Sequence, residues 1–382
     1  MEHVKRDFQI PEEHFFLFGP RGTGKSTLLK KNIPDSLYID LLQPDLFRSY
    51  AARPERLLET VHAQPEKRVV VIDEIQKIPD LLPAVHSLIE EKQGRRFILT
   101  GSSARKLRLG GINLLGGRAL YKRLHPFTAG ELKEKFSLTE TLNTGLIPVV
   151  FSARDRNAAL SAYIDLYIRQ EVMMEGWTRN FGNFSRFLEA ISFSHGSILN
   201  LSNVARECQV ERKIVESYVT VLEDLLMARK LNVFSRRAQR QVAVRPKFYF
   251  FDVGLFRKLR PKGPLDVPGE IEGPALEGMV FQHLQAFVDH QNKELEIYFW
   301  RTRSGSEVDF ILYGQELFCA IEVKNTTIIR PADLRALKTF LSDYPRSRGI
   351  LVYRGREKLK RDHILILPCE DFLRNPPNYL TA

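Results

Sequence analysis

Cysteine is scarce in this chain: Cys208, Cys319 and Cys369 are the only three in 382 residues, and they are widely scattered. An odd, dispersed set excludes a disulfide framework, and without a CxxC pair it excludes a cysteine zinc site. It fits a reducing compartment, so the cytoplasm is the expected location. No run approaches the ~20 apolar residues that a membrane-spanning helix needs. The opening MEHVKRDFQIPEEH is polar and lacks the apolar stretch of a secretory signal, so no membrane partner is expected. What remains is an ordinary globular composition, 43% hydrophobic and 27% charged, with length for two or three domains. The formal net charge of +11 fits a nucleic-acid partner, the plain alternative being a protein that is merely basic.

The clearest motif lies near the start. His14-Phe15-Phe16-Leu17-Phe18 reads as a buried strand, and Gly19-Pro20-Arg21-Gly22-Thr23-Gly24-Lys25-Ser26 matches GxxxxGK[ST] in full. Thr27 and the residues after it continue as a helix. Glycines let consecutive backbone N–H groups curl around a phosphate, and the helix N-terminus adds partial positive charge. Lys25 is then expected to reach the β- and γ-phosphates of a nucleotide, and Ser26 to hold Mg²⁺, which leaves kinases, GTPases and ATPases open.

Arg68-Val69-Val70-Val71-Ile72-Asp73-Glu74 is a β-branched run ending in two carboxylates, as expected for a central parallel strand. Asp73 is placed to hold the Mg²⁺ through water, and Glu74 to polarise the attacking water. A third apolar strand, Arg96-Phe97-Ile98-Leu99-Thr100, leads into Gly101-Ser102-Ser103, whose hydroxyls are candidate sensors of the γ-phosphate.

With these residues in place, the N-terminal region resembles an AAA-type ATPase. More narrowly, it resembles a bacterial and archaeal group that joins this ATPase to a C-terminal region of undefined function. The stretches that carry it are GPRGTGKST, VVVIDEIQKIPDLLPAVHSLIE, LTGSSARKLRLGGINLLGGRAL and LHPFTAGEL, and the likeness covers nearly the whole chain. It implies a sheet in which one strand separates the two phosphate-side strands, and ATP with Mg²⁺ as cofactors. The chain departs from typical AAA proteins in the Ser102-Ser103 pair, where an asparagine is usual. Arg118 is the candidate arginine finger, with Arg105 and Arg108 as competitors. The resemblance leaves both a homo-oligomer and a monomer open.

From Asp155 to Trp177 the pattern is helical and mixed in charge, as expected of a lid after the ATPase core. Leu201 to Val210 gives a short capped helix, and Arg212 to Leu226 a longer one with Ile214, Tyr218, Leu222 and Leu225 near the 3.6 period. Strands follow at Arg229–Phe234 and Lys247–Phe251, so the region reads as a winged helix-turn-helix. Arg236, Arg237, Arg240, Arg245 and Lys247 would lie in the wing as phosphate contacts to DNA. Winged helices also dock proteins, so a protein partner stays open.

After a Pro- and Gly-rich linker from Pro261 to Pro274, residues 276–284 read as an amphipathic helix and Ile297–Trp300 as a strand. Glu307-Val308-Asp309 and Ile321-Glu322-Val323-Lys324 then lie on two strands joined by a hairpin at Tyr313–Glu316. In a two- or four-residue turn register, Asp309 is diagonal to or directly opposite Glu322 on one face. Two carboxylates beside a lysine form the arrangement that a metal-dependent phosphodiesterase needs, with Mg²⁺ or Mn²⁺ between Asp309 and Glu322 and Lys324 beside the phosphate. This order resembles the PD-(D/E)XK nuclease superfamily, with Glu277 as the helix carboxylate, although the proline common before the aspartate is missing. A charged hairpin edge is the plain alternative.

The expected fold is therefore α/β. A P-loop ATPase core at 1–135 precedes a helical connector at 136–195, a winged helix at 196–260 and a nuclease-like domain at 261–382. The expected function is ATP hydrolysis coupled to DNA binding, with metal-dependent cleavage. The rivals are a silent DNA clamp and a nucleotide-controlled protein switch.

Overall fold

The apolar runs form five strands: β1 (Phe15–Phe18), β2 (Leu37–Asp40), β3 (Val69–Asp73), β4 (Arg96–Gly101) and β5 (Leu120–Arg123). All pair in parallel in the order β2-β3-β4-β1-β5. β4 thus separates β1 from β3, as the resemblance implied. Alternate residues face opposite sides. Phe16, Phe18, Val70, Ile72, Phe97 and Leu99 pack with Leu57, Leu81, Val85 and Leu88 of the covering helices. Phe15, Leu17, Val71 and Ile98 pack on the other side with Leu28 and Leu29 of helix Lys25–Asn32. Each such large apolar side chain contributes about 1.5–3 kcal/mol when fully buried. That burial fixes the strand ends where the polar motifs emerge.

In this computed structural model the described residues are 4–103, 114–168, 181–236, 245–264, 266–290 and 294–381. They divide into two compact units. One comprises Arg6–His125 with Asp224–Leu226, and the other Met1–Lys5, Pro126–Glu223 and Met227–Ala382. Part of the expected lid, 169–180, lies outside the described residues, while Arg156–Ala162 and Tyr163–Ile168 are helical.

The second unit contains helix Phe181–Ser192, β6 (Ser197–Ile198), helices Leu201–Cys208 and Arg212–Asp224, β7 (Ala228–Leu231) and β8 (Lys247–Phe250). These strands form an antiparallel sheet in the order β6-β8-β7. Asn200 caps the Leu201 helix, its side chain accepting from Asn203 N. Phe184 and Phe187 pack on Tyr218 with ring centroids 5.2 and 5.1 Å away. Ile214, expected on the inner face, is instead exposed, because Val215, Tyr218, Val219 and Leu222 define the buried stripe one position round.

Helix Pro268–His290 follows. It absorbs half of the expected linker: Pro268 opens the helix, where a proline needs no hydrogen-bond donor, and Pro274 lies inside it. β9 (Leu295–Arg301), β10 (Glu307–Gly314), β11 (Phe318–Lys324), β12 (Arg348–Tyr353), β13 (Leu359–Arg361) and β14 (Ile364–Pro368) form a mixed sheet ordered β13-β14-β12-β11-β10-β9. The hairpin turn sits later than expected, with Gly314 still in β10 and its N–H donating to Leu317 O at 2.8 Å.

The two sheets of this unit are tied together. Phe299 N donates to Asn232 O at 3.0 Å, and Phe234 N donates to Phe299 O at 2.6 Å. The Phe234 side chain is buried in the core of the mixed sheet with Trp300, Phe340 and Tyr344. The chain leaving β7 is thereby fixed to β9, which brings β8 close to β10.

Candidate active sites

The first site is built at the ends of β1, β3 and β4. Gly19 presses against the backbone, where a Cβ would lie 2.4 Å from Leu124 O, so no other residue fits there. Gly22 and Gly24 have φ of 80° and 90°, the left-handed geometry that turns successive N–H groups inward. Thr23 closes the loop by donating its hydroxyl to Pro20 O at 2.8 Å. Arg6 braces it from outside, donating to Thr23 O at 2.9 Å and His125 O at 2.6 Å. Lys25 is buried and donates to Gly19 O at 2.8 Å, its ammonium folded over the loop. Ser26 is the second residue of the helix that Lys25 opens, Thr27 is exposed and Arg21 is half-buried. This donor set fits a polyphosphate.

Asp73 ends β3 and is 1% exposed. One carboxylate oxygen accepts from Tyr38 Oη at 2.5 Å and the other from the Thr100 hydroxyl. Burial first, then the Asp73 charge, raises the Tyr38 phenol far above its usual range, and the neighbouring Ser26 hydroxyl opposes the rise. Tyr38 therefore links the two residues expected on the Mg²⁺ side, and their chemistry fits that ion. Glu74 follows at φ 62°, its N–H donating to Thr100 Oγ1 at 3.2 Å. Gln76 donates to the Glu74 carboxylate and to Ser102 Oγ at 3.0 Å. Ser102 and Ser103 are both buried at the end of β4. Tyr38, Thr100 and Gln76 escaped sequence reasoning, although Gln76 stands only two residues past the acidic pair.

Arg118 is partly exposed and pairs with Glu90 at 2.5 Å, a contact that would have to break for it to act as a finger. Arg105 and Arg108 lie outside the described residues.

The second site gathers on β8, β10, β11 and helix Pro268–His290. Phe310 pairs with Ile321, so the next pair along is Asp309 opposite Glu322, the directly opposite placement of the two expected. Asp309 Oδ2 accepts from Val323 N at 2.9 Å. Lys324 donates to Glu322 Oε1 at 2.6 Å, while Glu322 Oε2 is buried with no hydrogen-bond partner among the described residues. Glu277 joins them from the helix, accepting from Tyr249 Oη at 2.5 Å.

Lys247 sits in the middle. It was expected as a phosphate contact on an exposed wing, and the structure corrects this: its side chain is 1% exposed. Its Nζ lies 2.6 Å from Glu307, 2.9 Å from Glu277 and 3.3 Å from Asp309. The reason is strand alternation together with the tie at Phe234, which turns this residue of β8 inward toward β10. Burial alone would lower the Lys247 ammonium, but Glu277, Tyr249, Asp309 and Glu307 together hold it well above its usual value. Burial and the Asp309 charge push Glu277 up to about 7, against the pull of Lys247. Burial and Asp309 likewise raise Glu322, opposed by Lys324. Among the described residues, no group of three or more His, Cys, Asp or Glu is arranged to hold a metal ion. The expected Mg²⁺ or Mn²⁺ between Asp309 and Glu322 does not fit this arrangement, because the Lys247 ammonium already lies on Asp309 Oδ1 and the Lys324 ammonium on Glu322 Oε1.

Of the other expected wing residues, Arg237 and Arg240 lie outside the described residues. Arg245 is exposed, and Arg236 pairs with Glu296 at 3.4 Å. Among the described residues, no helix is long and apolar enough to cross a membrane.

Comparison with known proteins agrees with the first site. Residues 12–133 match the family described as an AAA domain, and such a domain implies ATP and Mg²⁺ binding. Residues 135–266 and 272–372 match two domains of unknown function, DUF8612 and DUF4143. The uncharacterized proteins Rv2008c of Mycobacterium tuberculosis and Mb2031c of Mycobacterium bovis are each 25% identical over 370 residues, 94% of this chain and 80% of theirs. Among solved structures, AMPPCP-bound DnaA from Aquifex aeolicus is 13% identical, covering 55% of this chain and 82% of that one at a TM-score of 0.26. Protein VC1899 from Vibrio cholerae is 10% identical, covering 96% of each chain at a TM-score of 0.20. The chain thus carries an AAA domain on a five-stranded parallel sheet, followed by two regions of helices and mixed sheets whose families have no known function.

Proposed function

We propose that this protein hydrolyses ATP at the first site and engages DNA through its second unit without cutting it. The observation that carries the ATPase reading is the meeting of Lys25, Ser26, Asp73 and Glu74 at the ends of β1 and β3, tied by Tyr38 and by the Gln76–Ser102 contact. The loop amides and Lys25 hold the ATP phosphates, and Ser26 with Asp73 holds the accompanying Mg²⁺, which neutralises phosphate charge. Glu74 orients the attacking water and accepts its proton. Gln76 and Thr100 fix Glu74 and Asp73 in place.

The DNA reading rests on the helix–strand–helix–helix–strand–strand order with the sheet β6-β8-β7, which supports a winged helix. Arg206, Lys213 and Arg245 are exposed on it, and the net charge of +11 supplies the long-range attraction. The six-stranded sheet with Glu277, Asp309, Glu322 and Lys324 supports a nuclease-like fold. The buried Lys247 favours a clamp over a cutting enzyme.

The test is binding of the full chain to duplex DNA across a salt series. Affinity falls steeply with salt, and changing Arg236, Arg237 and Arg240 together to Ala weakens binding and flattens the slope on every sequence. Binding that is absent at low salt removes DNA from the reading and leaves a nucleotide-controlled protein switch.

A further inference from the structure

We infer that Lys247 is the resident cation of the second site, supplying from within the chain the positive charge that a divalent ion would bring. The inference concerns the acid cluster alone and does not depend on ATP turnover or DNA binding.

Four carboxylates converge there, from Glu277 on the helix, Glu307 and Asp309 on β10 and Glu322 on β11. Such a concentration of negative charge under cover is unstable without a counter-ion, because each buried charge loses its hydration. The rim provides part of the answer: Arg301 pairs with Glu307 at 2.9 Å and Lys324 with Glu322 at 2.6 Å. The centre is different. Among the described residues only Lys247 touches three of the carboxylates at once, at 2.6, 2.9 and 3.3 Å, and its side chain is 1% exposed. Two of these contacts are hydrogen bonds, to Glu277 and Asp309, and the third is a close ion pair with Glu307.

A divalent ion entering this cluster would have to share the space with a positive charge in hydrogen-bond contact with the same oxygens. The lysine has little room to retreat. It begins the buried strand β8, with Phe248, Tyr249 and Phe250 after it and the ring of Phe299 5.6 Å from its Nζ. Tyr249, two residues on and on the same face, fastens Glu277 with a second hydrogen bond. The cluster is therefore closed to metal from within, and the acid residues that resemble a cutting site act as a polar bolt between β8, β10 and the long helix. Without the ammonium to hold them apart, the carboxylates are free to draw together on a divalent ion.

The test is a Mn²⁺ titration of the nucleotide-free full chain, following free Mn²⁺ by electron paramagnetic resonance. The wild-type chain shows no site that depends on Asp309. Lys247→Met binds one Mn²⁺ at least about tenfold more tightly than wild type, a difference of about 1.4 kcal/mol. Adding Asp309→Asn to Lys247→Met abolishes that site, and Lys247→Arg, which keeps the charge, gains none. Mn²⁺ also raises the melting temperature of Lys247→Met and leaves that of wild type unchanged. A wild-type Mn²⁺ site lost on Asp309→Asn overturns the proposal, as does a folded Lys247→Met that binds no metal. If Lys247→Met does not fold, Lys247→Met with Glu277→Gln, which removes one carboxylate with the ammonium, takes its place under the same two criteria.

Discussion

Tyr38 donates its hydroxyl to Asp73 at 2.5 Å, holding a carboxylate that is 1% exposed. This bond and the one from Thr100 compensate for burying Asp73. Tyr38→Phe leaves an acceptor under-satisfied and costs about 1–3 kcal/mol of stability. Mg²⁺ and ATP bring new polar partners to the same carboxylate. The expected outcome is a lower melting temperature without ligand and a larger rise with Mg²⁺ and ATP than wild type shows. Equal melting temperatures in both conditions would place Tyr38 outside the site.

Gln76 joins Glu74 to Ser102, with 3.0 Å to the serine. Its removal frees the carboxylate that orients water and leaves the phosphate loop untouched. Gln76→Ala is expected to lower kcat by on the order of tenfold while KM for ATP changes little. Steady-state kinetics separates the two. A change confined to KM would assign Gln76 to binding instead.

Gly278 faces His195, where an added Cβ would lie 2.3 Å from Nε2. The imidazole is buried and stacked 4.2 Å from Phe256, so it cannot step aside. Gly278→Ala is expected to destabilise the second unit by about 1–3 kcal/mol through overpacking. Chemical denaturation followed by a probe in that unit measures the loss. An unchanged transition would mean that the helix shifts freely over His195.

His283 is buried, donating from Nδ1 to Met279 O at 2.8 Å and accepting at Nε2 from Ala129 N at 2.9 Å. Protonation would set a second N–H against the Ala129 amide, and burial lowers the imidazole to about 4 from 6.5. A folded value below the unfolded one contributes stability that is present above pH 6.5 and lost as pH falls towards 4. The contribution is at most about 3 kcal/mol. His283→Gln should flatten the decline of stability between those pH values. A variant whose decline parallels wild type would place the acid sensitivity elsewhere, His195 being the next buried imidazole, lowered by burial to about 3.

The first site was legible because its chemistry is local. Gly19 to Ser26 lie on one loop, and Asp73 and Glu74 end one apolar strand, so spacing alone sets their geometry. The hairpin from Asp309 to Glu322 was legible for the same reason, short range and period-two alternation, with only the turn register left open. Tyr38 reaches Asp73 from a neighbouring strand, a pairing that strand order reveals and sequence does not. The sequence misleads at Lys247 because an arginine-rich stretch precedes it and suggests a solvated wing. Its partners stand 30 to 62 residues away, brought close by the anchoring of Phe234 against β9. The one sequence signal was a lysine opening the buried run Phe248-Tyr249-Phe250, where a charge needs a partner.

The central claim is that Glu74 drives ATP hydrolysis at a site whose phosphate cradle includes Lys25. The most direct measurement pairs ATP binding with turnover in the full-length wild-type chain, Glu74→Gln and Lys25→Ala. The account predicts that wild type hydrolyses ATP in the presence of Mg²⁺, that Glu74→Gln binds ATP as wild type does with turnover nearly abolished, and that Lys25→Ala loses binding itself. Wild-type turnover retained by Glu74→Gln would contradict it.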